Sequence, residues 1–295
     1  MTFFLQLTVT GLASGMVYAL IALGFVVILK CSQAFNIAQG YLVMIGGYLG
    51  YTFLITFHFP IWASLICAVL IAVVMGLLIE RLTLRPLVGQ PVLAIIMMTI
   101  ALSSVLEGLA TLIWGGQYKT YHNVIPSMNL RFAGVSLAPE SLIGLIVSVT
   151  VVVILLLFFR YTKIGLAMRA TAEDEQVVRS SGIRVNTVYA VSWIIACVTG
   201  VLAGILLGAV TGAFIPLSNV GLMAFAVVLL GGIDSIGGAV IAGIILGVLQ
   251  NIAAGYLDPL IPGGDLASIF PFLVIIIVLI FRPYGLFGLR RIERI

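Results

Sequence analysis

Apolar runs of membrane-spanning length dictate what this chain can become. From Leu5 to Leu29 there is no charged residue, and further blocks, largely apolar, run from Ile61 to Ile79, Val92 to Trp114 and Leu142 to Phe159. A helix needs about 20 apolar residues to cross a hydrocarbon core of about 30 Å. Inside that core backbone groups find partners only within helices or a closed barrel. Barrel strands alternate in polarity over about ten residues, and these blocks are twice that long without alternating. Of the 295 residues 62% are apolar and 8% charged, whereas a soluble domain carries about a quarter charged residues. The expected fold is therefore an all-α, polytopic transmembrane bundle. It forms one domain over residues 1–295, with room for about eight or nine spans and no sizeable soluble part.

The remaining apolar segments are Asn36 to Phe57, Val188 to about Val210, Val220 to Leu230, Ala239 to Tyr256 and Ala267 to Phe281. Val220 to Leu230 is barely long enough to cross and reads as a tilted span or a half-helix. On this assignment 12 of the 14 Lys and Arg residues, among them Lys30, Arg85, Arg160, Arg169, Arg184 and Arg282, fall on one side. Lys119 and Arg131 fall on the other. The positive-inside rule makes the first side cytoplasmic, with the amino terminus outside and the carboxyl terminus inside. The opening run lacks the basic region of a signal peptide and is expected to remain as the first span. The net charge of +4 is thus a matter of topology, and no nucleic-acid patch remains. Residues 115–139 turn polar and read as an external hairpin or cap.

No catalytic constellation is present. His58 and His122 fall in separate loops without metal-ligand spacing, the three cysteines show no CxxC spacing, and there is no GxxxxGK[ST] phosphate loop. Polar residues on the spans are candidates for a substrate path: Tyr18, Asn36, Gln39, Thr99, Ser103, Glu107 and Asn251. Glu107 stands out, because an acidic side chain near the bilayer centre costs about 2.5–3.5 kcal/mol and should face a cavity or a partner. For the others a bond to a neighbouring helix is the competing reading. Gly11 and Gly15, Gly46 and Gly50, Gly200 and Gly204, and Gly243 and Gly247 have the GxxxG spacing that lets helices approach closely. The stretch Phe25 to Leu29, a polar turn and a Gly-rich helix faintly echo Phe225 to Leu229, Gly231-Gly232 and a second Gly-rich helix. Such repeats are frequent in transporters.

Residues 160–184 hold five basic and three acidic side chains. Thr171 followed by Asp174 fits a capping box, placing Glu173, Asp174 and Glu175 in the first turn of a short amphipathic helix that Gly182 would end. Glu175 and Arg179 have i,i+4 spacing, worth only about 0.2–0.5 kcal/mol. The segment reads either as a solvated loop or as a docking helix for a cytoplasmic partner.

Four motifs carry a resemblance. Arg169-Ala-Thr-Ala-Glu-Asp-Glu running on to Ser180-Ser181-Gly182-Ile183, Phe35-Asn36-Ile37-Ala38-Gln39-Gly40, Leu230 to Ala239, and Phe281-Arg282-Pro283-Tyr284-Gly285-Leu286-Phe287-Gly288 stand in one order across nearly the whole chain. Together they resemble the branched-chain amino acid permeases of ATP-binding cassette importers, in particular the shorter of the two permease types. The resemblance implies a bacterial inner-membrane subunit, not itself an enzyme, that pairs with an identical or homologous permease, two ATPase subunits and an external substrate-binding protein. ATP and Mg would belong to the ATPases, with no cofactor in this chain. Arg169, Thr171, Glu173, Asp174, Glu175, Arg179 and Gly182 would make the coupling contact. Relatives in the family carry urea, short amides or aromatic acids, so the substrate stays open. Asp234 departs from the family's expected glycine. The rival classes are an ATP-independent channel, which would conduct alone, and an intramembrane enzyme, which would need paired acids or a metal cluster.

Overall fold

The structure is a computed structural model describing residues 2–32, 35–87, 89–121, 130–132, 135–260 and 266–288. His122, part of the 115–139 cap and the basic tail with Arg290, Arg291 and Arg294 lie outside the described residues. Among the described residues eleven α-helices follow in order: α1 (Thr2–Ser32), α2 (Gln39–Tyr51), α3 (Ile61–Ile79), α4 (Val92–Trp114), α5 (Pro139–Tyr161), α6 (Lys163–Glu173), α7 (Glu175–Ser180), α8 (Val185–Thr211), α9 (Val220–Gly231), α10 (Ile236–Tyr256) and α11 (Leu266–Phe281). Between α4 and α5, β1 (Leu130–Phe132) and β2 (Val135–Leu137) pair antiparallel. Among the described residues six helices, α1, α3, α4, α5, α8 and α10, are long and apolar enough to cross a membrane. The other apolar helices, α2, α9 and α11, have 13, 12 and 16 residues. At 1.5 Å per residue α9 and α11 reach only about 18–24 Å, short of a hydrocarbon core, and α2 comes close to that thickness only with the π-helical turn that follows it. An expectation of eight or nine spans counts these short helices as crossings.

Helix ends follow local chemistry. Pro60 and Pro91 precede α3 and α4, where a missing N–H costs nothing. Gly115, in the left-handed region at φ 77°, ends α4. Both α2 and α3 run on into a π-helical turn, Thr52–Thr56 and Glu80–Leu84.

Glycines decide which helices pack at the centre. A Cβ added to Gly15 would lie 2.6 Å from Gly243 O, and one on Gly247 would lie 2.3 Å from Gly15 Cα, so the α1–α10 seam is backbone against backbone. The α2–α8 seam is alike, with an added Cβ on Gly204 1.9 Å from Val43 O and on Gly46 2.3 Å from Val201 O. The GxxxG pairs seen in the sequence thus lie in two seams, those of α1 and α10 meeting each other and those of α2 and α8 packing chiefly on Val43, Gly47 and Val201. Without a hydrophobic drive between helices in lipid, such close packing is what holds them. Within their most apolar stretches α1 is 83% buried and α8 67%, against 17–22% for α3, α4 and α5. The last three therefore form the outside of the bundle. Cys31 and Cys197 are buried in the core and Cys67 is half-buried.

The two ends of the bundle are fixed by contacts. At one end the close of α1 meets α6, with Cys31 Sγ 4.0 Å from Met168 O, and Lys30 Nζ donates to the Asp234 carbonyl at 3.1 Å. Asp234 is therefore engaged through its backbone carbonyl. At the other end Tyr118 OH donates to Thr211 O at 2.5 Å and Lys119 pairs with Ala213 across a β-bridge. Tyr121 inserts there between α2 and α8 and donates to Gly47 O, and burial pushes its phenol above the ordinary tyrosine range.

The charged segment departs from the capping-box expectation. Thr171 lies inside α6, where its hydroxyl donates back to Ala167 O at 2.8 Å, and Glu173 is the last residue of that helix. The N-cap of α6 is Thr162, accepting from Gly165 N at 2.9 Å. Asp174 caps α7 instead, its Oδ1 accepting from Gln176 N at 2.8 Å and Val177 N at 3.1 Å. A side chain can cap only from extended backbone. Asp174 has it, with φ −154° and ψ 107°, and Thr171 does not. Two short helices with a break between them replace the single one expected. Gly182, at φ 81°, follows α7 as its stop, and Ile183 N bonds back to Val178 O at 3.4 Å.

Candidate functional site

Two short helices begin at one point inside the bundle. Gln39, the first residue of α2, lies beside the middle of α8, where its Nε2 donates to Ala196 O at 3.0 Å. The start of α9 meets it: a Cβ added to Gly40 would lie 2.0 Å from Ser218 O and 3.1 Å from Gly221 Cα. From this contact α2 runs to the bundle end that holds Trp114, where Tyr48 stacks on Trp114 with ring centroids 5.2 Å apart and Trp114 Nε1 donates to Thr52 Oγ1 at 2.7 Å. Meanwhile α9 runs to the opposite end, where Gly231 packs on Gly238 and Leu286 N donates to Leu230 O at 2.8 Å. The start of α2, with its partial positive charge, therefore meets the start of α9, which continues from the 3-10 turn Ile215–Asn219 so that Val220 N is already bonded to Leu217 O and Ser218 O.

Four of the residues singled out in the sequence build this convergence. Asn36 and Gln39 are fully buried and joined, Asn36 Nδ2 donating to Gln39 Oε1 at 3.0 Å. Thr99 on α4 holds the connection that precedes them, donating to Phe35 O at 3.1 Å and accepting from Ile37 N at 3.4 Å. Ser103 donates to Thr99 O at 2.9 Å one turn on. Asn36 Oδ1 is buried without a hydrogen-bond partner among the described residues. These side chains position the start of α2 between α4 and α8.

Beside the convergence lies a cavity of about 370 Å³. Phe25, Phe35, Tyr41 and Phe225 give it aromatic walls, and Ser218 and Asn219 lie where α9 begins. Phe225 packs edge-on to Phe35 with centroids 5.0 Å apart. The combination is an apolar chamber with helix N-termini at its edge. It suits a molecule with an aliphatic body and a carboxylate, since helix N-termini favour anions.

The other sequence candidates lie elsewhere. Asn251 ties α10 to α1, its Nδ2 donating to Ser14 Oγ at 3.0 Å. Tyr18 sits on α1 beside Gln250. Glu107 is half-buried on α4, lines neither this cavity nor a second one near α7, and makes no ion pair among the described residues. Glu107→Gln is accordingly expected to leave uptake within about twofold of wild type, since it removes a charge from a costly place without touching the chamber. A large loss of initial uptake rate would show instead that α4 meets its partner through this carboxylate.

On the face near the close of α1, Arg179 donates to Glu175 Oε1 through Nε at 2.9 Å. That hydrogen bond, with the carboxylate's charge, raises the Arg179 pKa still further. Both residues are well exposed, so the pair contributes little stability. Sequence reasoning missed Phe25, Phe35, Tyr41, Ser218, Asn219 and Phe225. The signals for them were the polar break after Ser32 and Pro216 ahead of a short apolar helix.

Two short helices meeting beside an apolar cavity in a membrane bundle suit a permease, and the chain belongs to the family described as branched-chain amino acid transport system, permease component, whose model matches residues 7–279. It is 30% identical to the high-affinity branched-chain amino acid transport system permease protein LivH of Salmonella typhimurium, over 99% of this chain and 98% of that one. To LivH of Escherichia coli and BraD of Pseudomonas aeruginosa, both carrying the same description, it is 29% identical with the same coverage.

Proposed function

We propose that this chain is a permease subunit of an ATP-binding cassette importer and forms part of the path for branched-chain amino acids. The observation that carries this reading is the apolar chamber at the meeting point of α2 and α9. An amino acid with an aliphatic side chain presents a carboxylate to the helix N-termini and a hydrocarbon body to Phe25, Phe35 and Phe225. The family and its relatives supply the substrate class. The basic residues near the close of α1 support a cytoplasmic position for that end in a bacterial inner membrane, with the amino terminus outside. The short α2 and α9 then enter from opposite faces, α2 opening outward and α9 inward. The uncovered faces of α3, α4 and α5 leave room for lipid and for a second permease, identical or homologous. Two ATPase subunits, holding ATP and Mg, would dock on the cytoplasmic face around α6 and α7, and an external binding protein would deliver substrate.

The test is uptake of labelled leucine by vesicles holding this chain with its co-purified subunits. ATP-dependent accumulation, competed by isoleucine and valine, is the expected result. Accumulation of urea or a short amide in place of leucine overturns the substrate, and conductance without ATP overturns the importer.

A further inference from the structure

A second cavity, of about 390 Å³, lies on the cytoplasmic side between the α3–α4 connection and the coupling segment. Its size is at the lower end of what small-molecule sites show. The π-helical turn Glu80–Leu84 builds one wall, turning Glu80 and Leu84 inward while Arg81 and Leu82 stay exposed. Glu175 and Arg179 of α7 border it, and Trp193 of α8 lines it.

The charges are balanced, with Arg85 and Arg179 against Glu80 and Glu175. Glu80 is 3% exposed and among the described residues has one cation, Arg85 Nε at 3.5 Å, while the Arg85 side chain is 47% exposed. Leu84, Leu87, Val92 and Ile95 make up an apolar part of the lining. Trp193 is fully buried, yet its indole N–H has no hydrogen-bond partner among the described residues. A buried donor without a partner is costly, and native structures rarely keep one without a use. An unfilled donor, two guanidinium groups, two carboxylates and an aliphatic wall match a small zwitterion with an apolar body.

We propose that this cavity binds a free α-amino acid with an aliphatic side chain from the cytoplasm and that its occupancy slows import. Identifying that ligand with the cargo rests on the function proposed above. Its carboxylate takes the Trp193 indole N–H and an arginine, and its ammonium meets the glutamates. Because the cavity has α7 on one side and the α3–α4 connection on the other, a bound ligand bridges them. It thereby favours this arrangement over any in which they separate. Since α7 lies in the segment assigned to the ATPases, cargo accumulated inside restrains its own entry.

The experiment uses the assembled transporter without its external binding protein and measures equilibrium binding of labelled leucine. The probes for recognition are 4-methylpentanoate, which lacks the ammonium, and leucinol, which lacks the carboxylate. Leucine is expected to bind, and each analogue to compete roughly tenfold less well. Trp193→Phe, which removes only the N–H and keeps a ring, should weaken leucine binding roughly tenfold. Val92→Trp fills the cavity from an exposed wall position and should weaken it as well, covering the case in which the first variant is unstable. In transport assays, leucine on the ATPase side should slow initial uptake by the wild type, and both variants should need about tenfold more for the same effect. Uptake into vesicles without internal leucine should be unchanged. Binding that neither variant weakens overturns the proposal, as does leucine transport without binding on this face. Binding here without leucine transport leaves this site standing and removes the substrate reading instead.

Discussion

Gly40→Val is expected to cut uptake below a tenth of wild type and to lower the unfolding temperature of the assembled transporter. The Cβ alone would lie 2.0 Å from Ser218 O and 3.1 Å from Gly221 Cα, and both obstacles are backbone that cannot rotate away. The start of α9 must therefore back off from the start of α2. Overpacking of this kind costs about 1–3 kcal/mol, and the displacement falls where the N-termini meet the chamber wall. An error of about 1 Å at a positioning contact can cost a hundredfold in rate, so initial uptake should fall below a tenth of wild type. Gly108→Ala is the matched control, because nothing lies within 4 Å of a Cβ added there on α4. It should behave as wild type in both measurements. Normal uptake by Gly40→Val would mean that the two half-helices do not meet in the working protein.

Much of this arrangement is legible in the residues. The blocks Ile61 to Ile79 and Val92 to Trp114 coincide with α3 and α4 because proline before each and glycine after α4 mark their ends. The GxxxG pairs were visible because only glycine permits a seam such as Gly15 against Gly243. Asn36, Gln39, Thr99 and Ser103 stand out as polar residues in apolar surroundings, and the structure brings them together around one helix start. The chamber's own walls are not legible. Phe25 and Phe225 have the same composition around them as residues facing lipid, and periodicity cannot separate the two when a helix is apolar all round. The capping of α7 was misread for a different reason. Thr171 and Asp174 are both good N-cap residues three apart, and the extended backbone at Asp174 that selects between them depends on how α6 packs against the end of α5. Trp193 and Arg85 gave no signal because a tryptophan and a basic residue beside a span are ordinary membrane-interface features.

The capping geometry also makes the proposed coupling role of α7 testable. Asp174 satisfies two N–H groups at the start of α7, a helix of six residues. A helix that short has no stability of its own, so its shape depends on its cap and on Val178, which packs with Val185 and Tyr189. Asp174→Ala removes the cap at a cost of about 1 kcal/mol, a factor of about five in the population of the formed helix. Where α7 transmits the motion of the ATPases, uptake should fall by about that factor while ATP hydrolysis by the assembled subunits persists, because no residue that handles ATP has changed. Asp174→Asn retains a capping side chain and discards the charge. If the cap is what matters, Asn restores uptake to within about twofold of wild type. If the negative charge meets a basic partner surface, Asn fails as Ala does, and the loss grows smaller as salt screens the contact. Equal uptake by wild type, Ala and Asn would take α7 out of the coupling path altogether.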